Sequence, residues 1–117
     1  MDEQNLAPAA DVDGIETGDF TVNGKSYELS FSRHRISLYE KAAKKPLMAS
    51  IYVDGGVLSF EQLQFLVAYG LKAEGGGYIA PAEGVKMAGE LIDKNGYTAV
   101  YERVTDALVR DCGFLFR

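Results

Sequence analysis

An Asn-Gly pair between two alternating segments is the feature that most constrains the fold of this chain. Residues 20–31 read FTVNGKSYELSF, with Asn23-Gly24 at the centre. Both residues accept the positive φ angles of a type I′ turn, whose twist matches that of two paired antiparallel strands. Such a turn places Phe20 opposite Tyr27, and the alternation gathers the apolar side chains on one face. The sequence therefore predicts a β-hairpin with one apolar face.

Helices after the hairpin are predicted to cover this face, because an isolated hairpin is only marginally stable in water. Ser32 is a suitable N-cap for a helix that extends to about Lys45, where Pro46 interrupts it. A short helix beginning near Leu47 fits the next residues, with a strand at 49–53 as the alternative.

The most apolar helix is predicted at about 60–73. Ser59 and Gln62 match a capping box, and Glu74 with the three glycines after it is predicted to end the helix and to form a flexible loop. At 100° per residue, the apolar side chains surround most of the circumference. Such a helix is either central to the core or partly covered by another chain.

Two further helices complete the predicted fold. One begins near Pro81 and ends at Asn95, before a glycine. The other uses Thr98 as its N-cap and runs to Cys112. The 100° period assigns Arg103 to the polar side of this last helix.

Negative charge is concentrated at the N-terminus. Residues 1–24 contain six acidic residues and no Lys or Arg, within a formal net charge of −5 for the whole chain. The segment 1–18 has few large apolar residues, so it can bury too little surface to offset the entropy of ordering it. We therefore predict that it is an acidic, mobile leader. A short edge strand through Val12 and Ile15 is the alternative. Residues 19–117 are predicted to form a single α+β domain, an N-terminal β-hairpin packed on a bundle of three to four helices.

The residues that commonly carry chemistry do not have the spacing of a catalytic or metal site. His34 is the only histidine and Cys112 the only cysteine, so the sequence predicts neither a zinc site nor an internal disulfide. Cys112 lies on an apolar helix face and is predicted to be a buried, inert thiol. We therefore predict that the protein is not an enzyme and uses no cofactor or metal ion.

Residues 33–45 contain five Lys and Arg residues and one acidic residue. This excess of positive charge raises the question whether the segment binds nucleic acid. Arg33 and Arg35 do not share a helix face with Lys41, and no aromatic platform accompanies them. A solvated helix face is therefore favoured over a nucleic-acid-binding regulator. Insertion into a membrane is not predicted, because every apolar run is far shorter than the roughly 20 residues that span a bilayer.

The order of these parts resembles that of tail assembly chaperones from long-tailed bacteriophages and prophages. FTVNGKSYELSF resembles the hairpin at their start, SLYEKAAKKPL their first helix, and LSFEQLQFLVAYGLK their capped central helix. ELIDKNGYTAVYERVTDALVRDCGF resembles their closing pair of helices. The likeness covers about residues 19–116 and rests on architecture and short patterns, without a catalytic signature.

This resemblance implies a non-enzymatic assembly factor in the cytoplasm of the infected host cell. Such proteins bind the long, hydrophobic tape measure protein, keep it soluble and help the tail tube protein to polymerise around it. The resemblance leaves the oligomeric state open, with a homo-oligomer among the alternatives. Another structural virion protein, such as a head–tail connector or tail completion factor, is the alternative function.

Binding of this kind requires accessible apolar surface, for which four residues are candidates. Phe65 and Tyr69 lie on the nearly all-apolar central helix, and Phe114 and Phe116 lie at the aromatic C-terminal end. Each of the four side chains also fits a position in the core. The acidic leader would help to keep such surface from self-association.

Overall fold

The computed structural model describes residues 19–22, 24–52 and 55–116, so the predicted leader at 1–18 lies outside the described residues. The first elements are β1 (Asp19–Val22), β2 (Lys25–Leu29), α1 (Arg33–Ala43), α2 (Leu47–Tyr52) and α3 (Phe60–Gly70). They are followed by β3 (Leu71–Ala73), α4 (Pro81–Asn95), α5 (Tyr97–Asp111) and a short 3-10 helix (Gly113–Phe116). The predicted α+β class, with a hairpin packed on helices, is confirmed.

The hairpin has the predicted register. β1 pairs with β2 in the antiparallel direction, with Phe20 opposite Tyr27, and Gly24 has a φ of 78° in the turn. Phe20 and Leu29 are fully buried, and Tyr27 packs partly against the same core. The alternation of the sequence therefore identifies the face of the sheet that meets the helices.

A third strand was not predicted. Helix α3 ends at Gly70, and Leu71–Ala73 pairs with β2 in the antiparallel direction, so the prediction of a helix through residue 73 was wrong. The backbone N–H of Ser30 donates to the carbonyl oxygen of Gly70 at 2.8 Å, which joins the end of the helix to the sheet. Pairing with β2 is a tertiary interaction, and it outweighs the helical pattern of these three residues.

The glycine segment after β3 also differs from its prediction. We expected it to follow a helix directly, but β3 lies between the helix and the turn. The backbone N–H of Ala73 donates to Gly77 at 3.0 Å, and Lys72 forms a β-bridge with Tyr78. The segment therefore connects two extended pieces of chain before α4.

Helix α3 lies at the centre of the core. It contacts α1, α4, α5 and β2, and Leu63, Leu66 and Val67 are fully buried. The predicted capping box is confirmed, because Ser59 Oγ accepts from the Gln62 amide at 3.0 Å and Gln62 Oε1 accepts from the Ser59 amide at 2.8 Å. Neighbours within the chain thus cover most of its apolar circumference.

Helices α1 and α2 follow the local signals in the sequence. Ser32 caps α1 as predicted, and α1 ends at Ala43 before Lys44, which has a left-handed φ of 57°. The segment from Leu47 is helical, so helix rather than strand is confirmed there. The Glu40 carboxylate accepts from the Leu47 amide at 2.7 Å and joins the two helices across Pro46.

Helix α5 differs from its prediction at two points. It begins at Tyr97, with Gly96 as the N-cap residue, so Thr98 lies in the first turn and is not the cap. Arg103, which the sequence assigned to the polar side, is only 1% exposed. The helical period gives the direction of a side chain, but it does not give how many neighbours enclose the helix.

Helices α3 and α4 approach closely where both carry small residues. A Cβ placed on Gly84 would lie 3.0 Å from the backbone oxygen of Ala68, on α3. Just over one turn later, a Cβ on Gly89 would meet only the side-chain amide of Gln64, at 2.9 Å. That amide belongs to a flexible side chain, and moving it costs its hydrogen bond from Nε2 to the Val85 carbonyl oxygen, at 2.8 Å. The backbone of α3, in contrast, moves only if the helices separate.

We predict different effects for alanine at these two glycines of α4. Alanine favours a helix interior over glycine by about 1 kcal/mol, so both substitutions should stabilise α4 in the absence of packing constraints. Gly84→Ala should instead lower the free energy of unfolding, by up to about 2 kcal/mol, because overpacking costs about 1–3 kcal/mol and the gain in helix propensity offsets only about 1 kcal/mol of it. Gly89→Ala is the matched control and should leave the free energy of unfolding nearly unchanged, because the gain in helix propensity is offset by about 1 kcal/mol if the Gln64 amide gives up its hydrogen bond to Val85. Urea unfolding measures both, and a stabilised Gly84→Ala would contradict the close approach.

Candidate functional site

Large apolar side chains are exposed around the start of α3. Val57 is 66% exposed and Phe60 is 67% exposed, and Tyr52 at the end of α2 is exposed as well. Single apolar residues on a surface need no explanation, but a group of them marks a surface that another molecule can cover.

Phe60 stands between two open hollows. The larger, of about 620 Å³, is lined by residues 55–60 together with Tyr97 and Tyr101. The smaller, of about 280 Å³, is lined by Phe60, Gln64, Gly89, Ile92 and Asp93. Phe60 is the one residue among those described that lines both, so the two hollows adjoin at Phe60. We call the two hollows together the Phe60 groove.

Tyrosine hydroxyls on α5 hold one wall of the Phe60 groove in place. Tyr97 Oη donates to the carbonyl oxygen of Leu58 at 2.7 Å and accepts from the Leu58 amide at 3.2 Å. Tyr101 Oη donates to the carbonyl oxygen of Gly56 at 2.6 Å. These bonds fix the loop between α2 and α3 against α5, so the wall is formed before any occupant arrives.

Ring contacts continue along the same wall. The Tyr97 ring meets Phe60 edge-on, with 5.5 Å between ring centroids, and stacks on Tyr101 at 5.8 Å. Such pairs contribute about 0.5–1.5 kcal/mol beyond the area that they bury. The exposed ring of Phe60 therefore has a supported position and is available as an anchor for apolar side chains of another molecule.

The four residues predicted to contact a partner lie outside the Phe60 groove. Phe65 and Tyr69 are partly buried against the core. Phe114 and Phe116, in the C-terminal 3-10 helix, are exposed. Contact of these four residues with a partner stays a prediction, and none of them lines either hollow.

Two arginines of α1 lie against aromatic rings, including two of these four residues. The Arg33 guanidinium is 5.2 Å from the ring centroid of Phe114. The Arg35 guanidinium is 4.0 Å from the Tyr78 ring and 5.6 Å from the Tyr69 ring, and its Nε donates to the Tyr69 carbonyl oxygen at 2.6 Å. Both arginines of the basic segment thus make contacts within the fold.

Among the described residues, the histidine and the cysteine do not line the groove. Cys112 is fully buried as predicted, and burial raises the pKa of its thiol, with the charge of Asp111 acting in the same direction. His34 is exposed on α1. Within residues 19–22, 24–52 and 55–116, no three His, Cys, Asp or Glu side chains form a group that could hold a metal ion.

Sequence reasoning missed the Phe60 groove. By the 100° period, Phe60 shares a side of α3 with Leu63 and Val67, so the pattern predicts its burial. It is exposed because it is the first helical residue, where the neighbouring helices no longer cover that side. Its position directly after the predicted cap Ser59 was the one available signal.

No protein family, curated protein or solved structure matches this chain. None of the helices in the described part of the chain is long and apolar enough to cross a membrane. Function therefore has to be inferred from the chemistry of the surface itself.

Removing one hydroxyl tests whether the groove wall is held as described. Tyr97→Phe keeps the ring beside Phe60 but leaves both backbone groups of Leu58 without their partner. We expect the free energy of unfolding to fall by about 1 kcal/mol and the Leu58 amide to exchange with solvent several-fold faster. Hydrogen exchange followed by NMR measures this, with Tyr52→Phe at an exposed ring as the control. Unchanged exchange at Leu58 would show that the hydroxyl does not hold the loop.

Proposed function

We propose that this chain is a non-enzymatic tail assembly chaperone of a long-tailed bacteriophage or prophage, acting in the host cytoplasm. Its partner is the tape measure protein, which it binds through exposed apolar surface while the tail tube protein assembles. The observation that carries this proposal is the exposed ring of Phe60 between two hollows whose wall is already in place. The resemblance of the hairpin-then-helices order to that family supports it.

The Phe60 groove suits reversible binding of apolar segments. Each hollow has room for a large apolar side chain beside the Phe60 ring, and burial of such a side chain contributes about 1.5–3 kcal/mol. A contact with one or two anchors is far weaker than a standard interface, because affinity depends on a few well-packed anchors. A chaperone that must leave before the tail is complete needs such a low affinity for its partner.

Repeated weak contacts also suit a long partner. A chain with many apolar segments can engage several chaperone molecules at once, so its exposed apolar surface is covered without any single tight contact. The exposed rings of Phe114 and Phe116 offer a second apolar area on each molecule.

Co-expression with the tape measure protein of the same phage or prophage tests the proposal directly. The unmodified chain should keep that protein in the soluble fraction and be recovered with it in a pull-down. Phe60→Ser should reduce the recovered partner about tenfold or more, because the ring is the wall common to both hollows.

Val109→Ser is the matched control for this experiment. Val109 is 55% exposed on α5 and does not line either hollow, so its loss should leave recovery of the partner unchanged. Equal losses in the two variants, or a partner that stays insoluble with the unmodified chain, would refute the proposal.

Purified virions distinguish this function from that of a head–tail connector or tail completion factor. An assembly chaperone should be absent from mature particles, whereas a connector or completion factor remains in each of them. Mass spectrometry of particles purified from the producing phage or prophage gives the answer. Peptides of this chain at the stoichiometry of a structural component would favour the virion protein.

A further inference from the structure

Three basic residues meet two aromatic rings beside the sheet. The Arg35 guanidinium is 4.0 Å from the centroid of the Tyr78 ring, and the Lys72 ammonium nitrogen is 5.8 Å from the same centroid. Arg33, two residues before Arg35 on α1, is 5.2 Å from the centroid of the Phe114 ring. Aromatic rings attract cations in this way through their negative faces. We call these three basic residues and two rings the Arg33 surface.

The fold leaves most of this positive charge without a compensating carboxylate. In the part of the chain that the structure describes, no carboxylate forms an ion pair with Arg33, Arg35 or Lys72. The first turn of α1 contains no acidic residue. Glu28 lies opposite Lys72 in the sheet, and Asp111 already has an arginine partner at 2.8 Å. The Arg33 surface therefore keeps an excess of positive charge.

The N-terminal segment joins the sheet close to this surface. Asp19, the residue after the segment, is opposite Glu28, and Glu28 is opposite Lys72. Lys72 in turn forms a bridge with Tyr78. Since neighbouring strands are about 4.8 Å apart, Asp19 lies about 10 Å from Lys72 in one row across the sheet. Residues 1–18 are therefore attached to the fold near the Arg33 surface.

Charge makes this segment a matching occupant. Residues 1–18 contain five acidic residues and no Lys or Arg. Residues 19–117 contain twelve acidic and twelve basic residues, so the formal net charge of −5 belongs to the segment. Opposite charges on two surfaces favour their encounter and their specific pairing.

We propose that the acidic segment 1–18 binds the Arg33 surface of its own molecule. An extended chain spans about 3.3–3.6 Å per residue, so Asp11, Asp13 and Glu16 can all reach the three cations from Asp19. The covalent connection gives the segment an effective concentration of about 1 mM, at which ion pairs that are individually weak can act together.

This contact would cover a surface that otherwise attracts polyanions. A cationic surface with exposed rings is favourable for nucleic acid, which would have to displace the tethered segment. The inference goes beyond the proposed function, because none of the residues of the Arg33 surface lines the Phe60 groove.

Two other arrangements are less favourable. Lys25 and Lys86 line a hollow together with Glu83 and Glu90, so two carboxylates there would repel the segment. A second copy could supply its own segment, but at micromolar protein concentration that segment is far more dilute than the tethered one.

A nitroxide spin label on the segment of the full chain tests this inference. Ala10→Cys provides the attachment point, and Cys112 is fully buried, so the label should attach at residue 10. At low salt the label should broaden the NMR amide signals of Arg33, Arg35 and Tyr78. This broadening should be about threefold weaker in about 0.5 M salt, where the Debye length of roughly 4 Å screens exposed ion pairs.

Neutral side chains in the segment should have the same effect as salt. Asp11→Asn, Asp13→Asn and Glu16→Gln together should remove most of the broadening at low salt. Arg33→Gln should reduce it by about half, because it removes one of three cations. Lys86→Gln is the matched control, because it removes one positive charge from an exposed position of α4, and it should leave the broadening unchanged. Circular dichroism and urea unfolding establish that the variants are folded.

Broadening that is the same at both salt concentrations, or that survives the neutral segment, would overturn the inference. Equal effects of Arg33→Gln and Lys86→Gln would overturn it as well. A mixture of spin-labelled chain and isotope-labelled chain detects contact between copies, and equally strong broadening in that mixture would place the segment on a second molecule instead. The samples contain no tape measure protein, so the result is independent of the co-expression experiment.

Discussion

The burial of α3 on nearly all sides is the constraint on which the rest of the structure depends. A helix so apolar needs neighbours around most of its circumference, and α1, α4, α5 and β2 provide them. Small residues allow the closest approaches: Gly84 lies over the backbone of Ala68, and Gly70 has no Cβ where the Phe31 ring packs. Helices α1, α4 and α5 and strand β2 are thus packed around α3.

The Phe60 groove is a consequence of the same helix. The capping box at Ser59 fixes the first residue of α3, so Phe60 is held at the N-terminal limit of the core helix. The tyrosine hydroxyls of α5 then bind the backbone of the preceding loop and leave the ring of Phe60 accessible. One helix thus supplies both the centre of the fold and an anchor on its surface, which ties the shape of the groove to the stability of the core.

An exposed apolar groove suits a binding protein, because its hollows contribute affinity when apolar side chains of another molecule are buried in them. Asp93 is the one charged residue among the described residues that line these hollows. The proposed chaperone would therefore hold its partner mainly by apolar contact.

The sequence by itself determined the features that depend on a few consecutive residues: the Asn23-Gly24 hairpin, the caps at Ser32 and Ser59, and the helix between Pro81 and Asn95. Backbone geometry and capping hydrogen bonds decide these locally, so they can be predicted from short patterns. Tertiary structure alone decided that α3 ends at Gly70, that Arg103 is buried and that Phe60 is exposed. Each of these depends on which element lies beside the residue, and a periodic pattern gives the direction of a side chain without giving what it meets there.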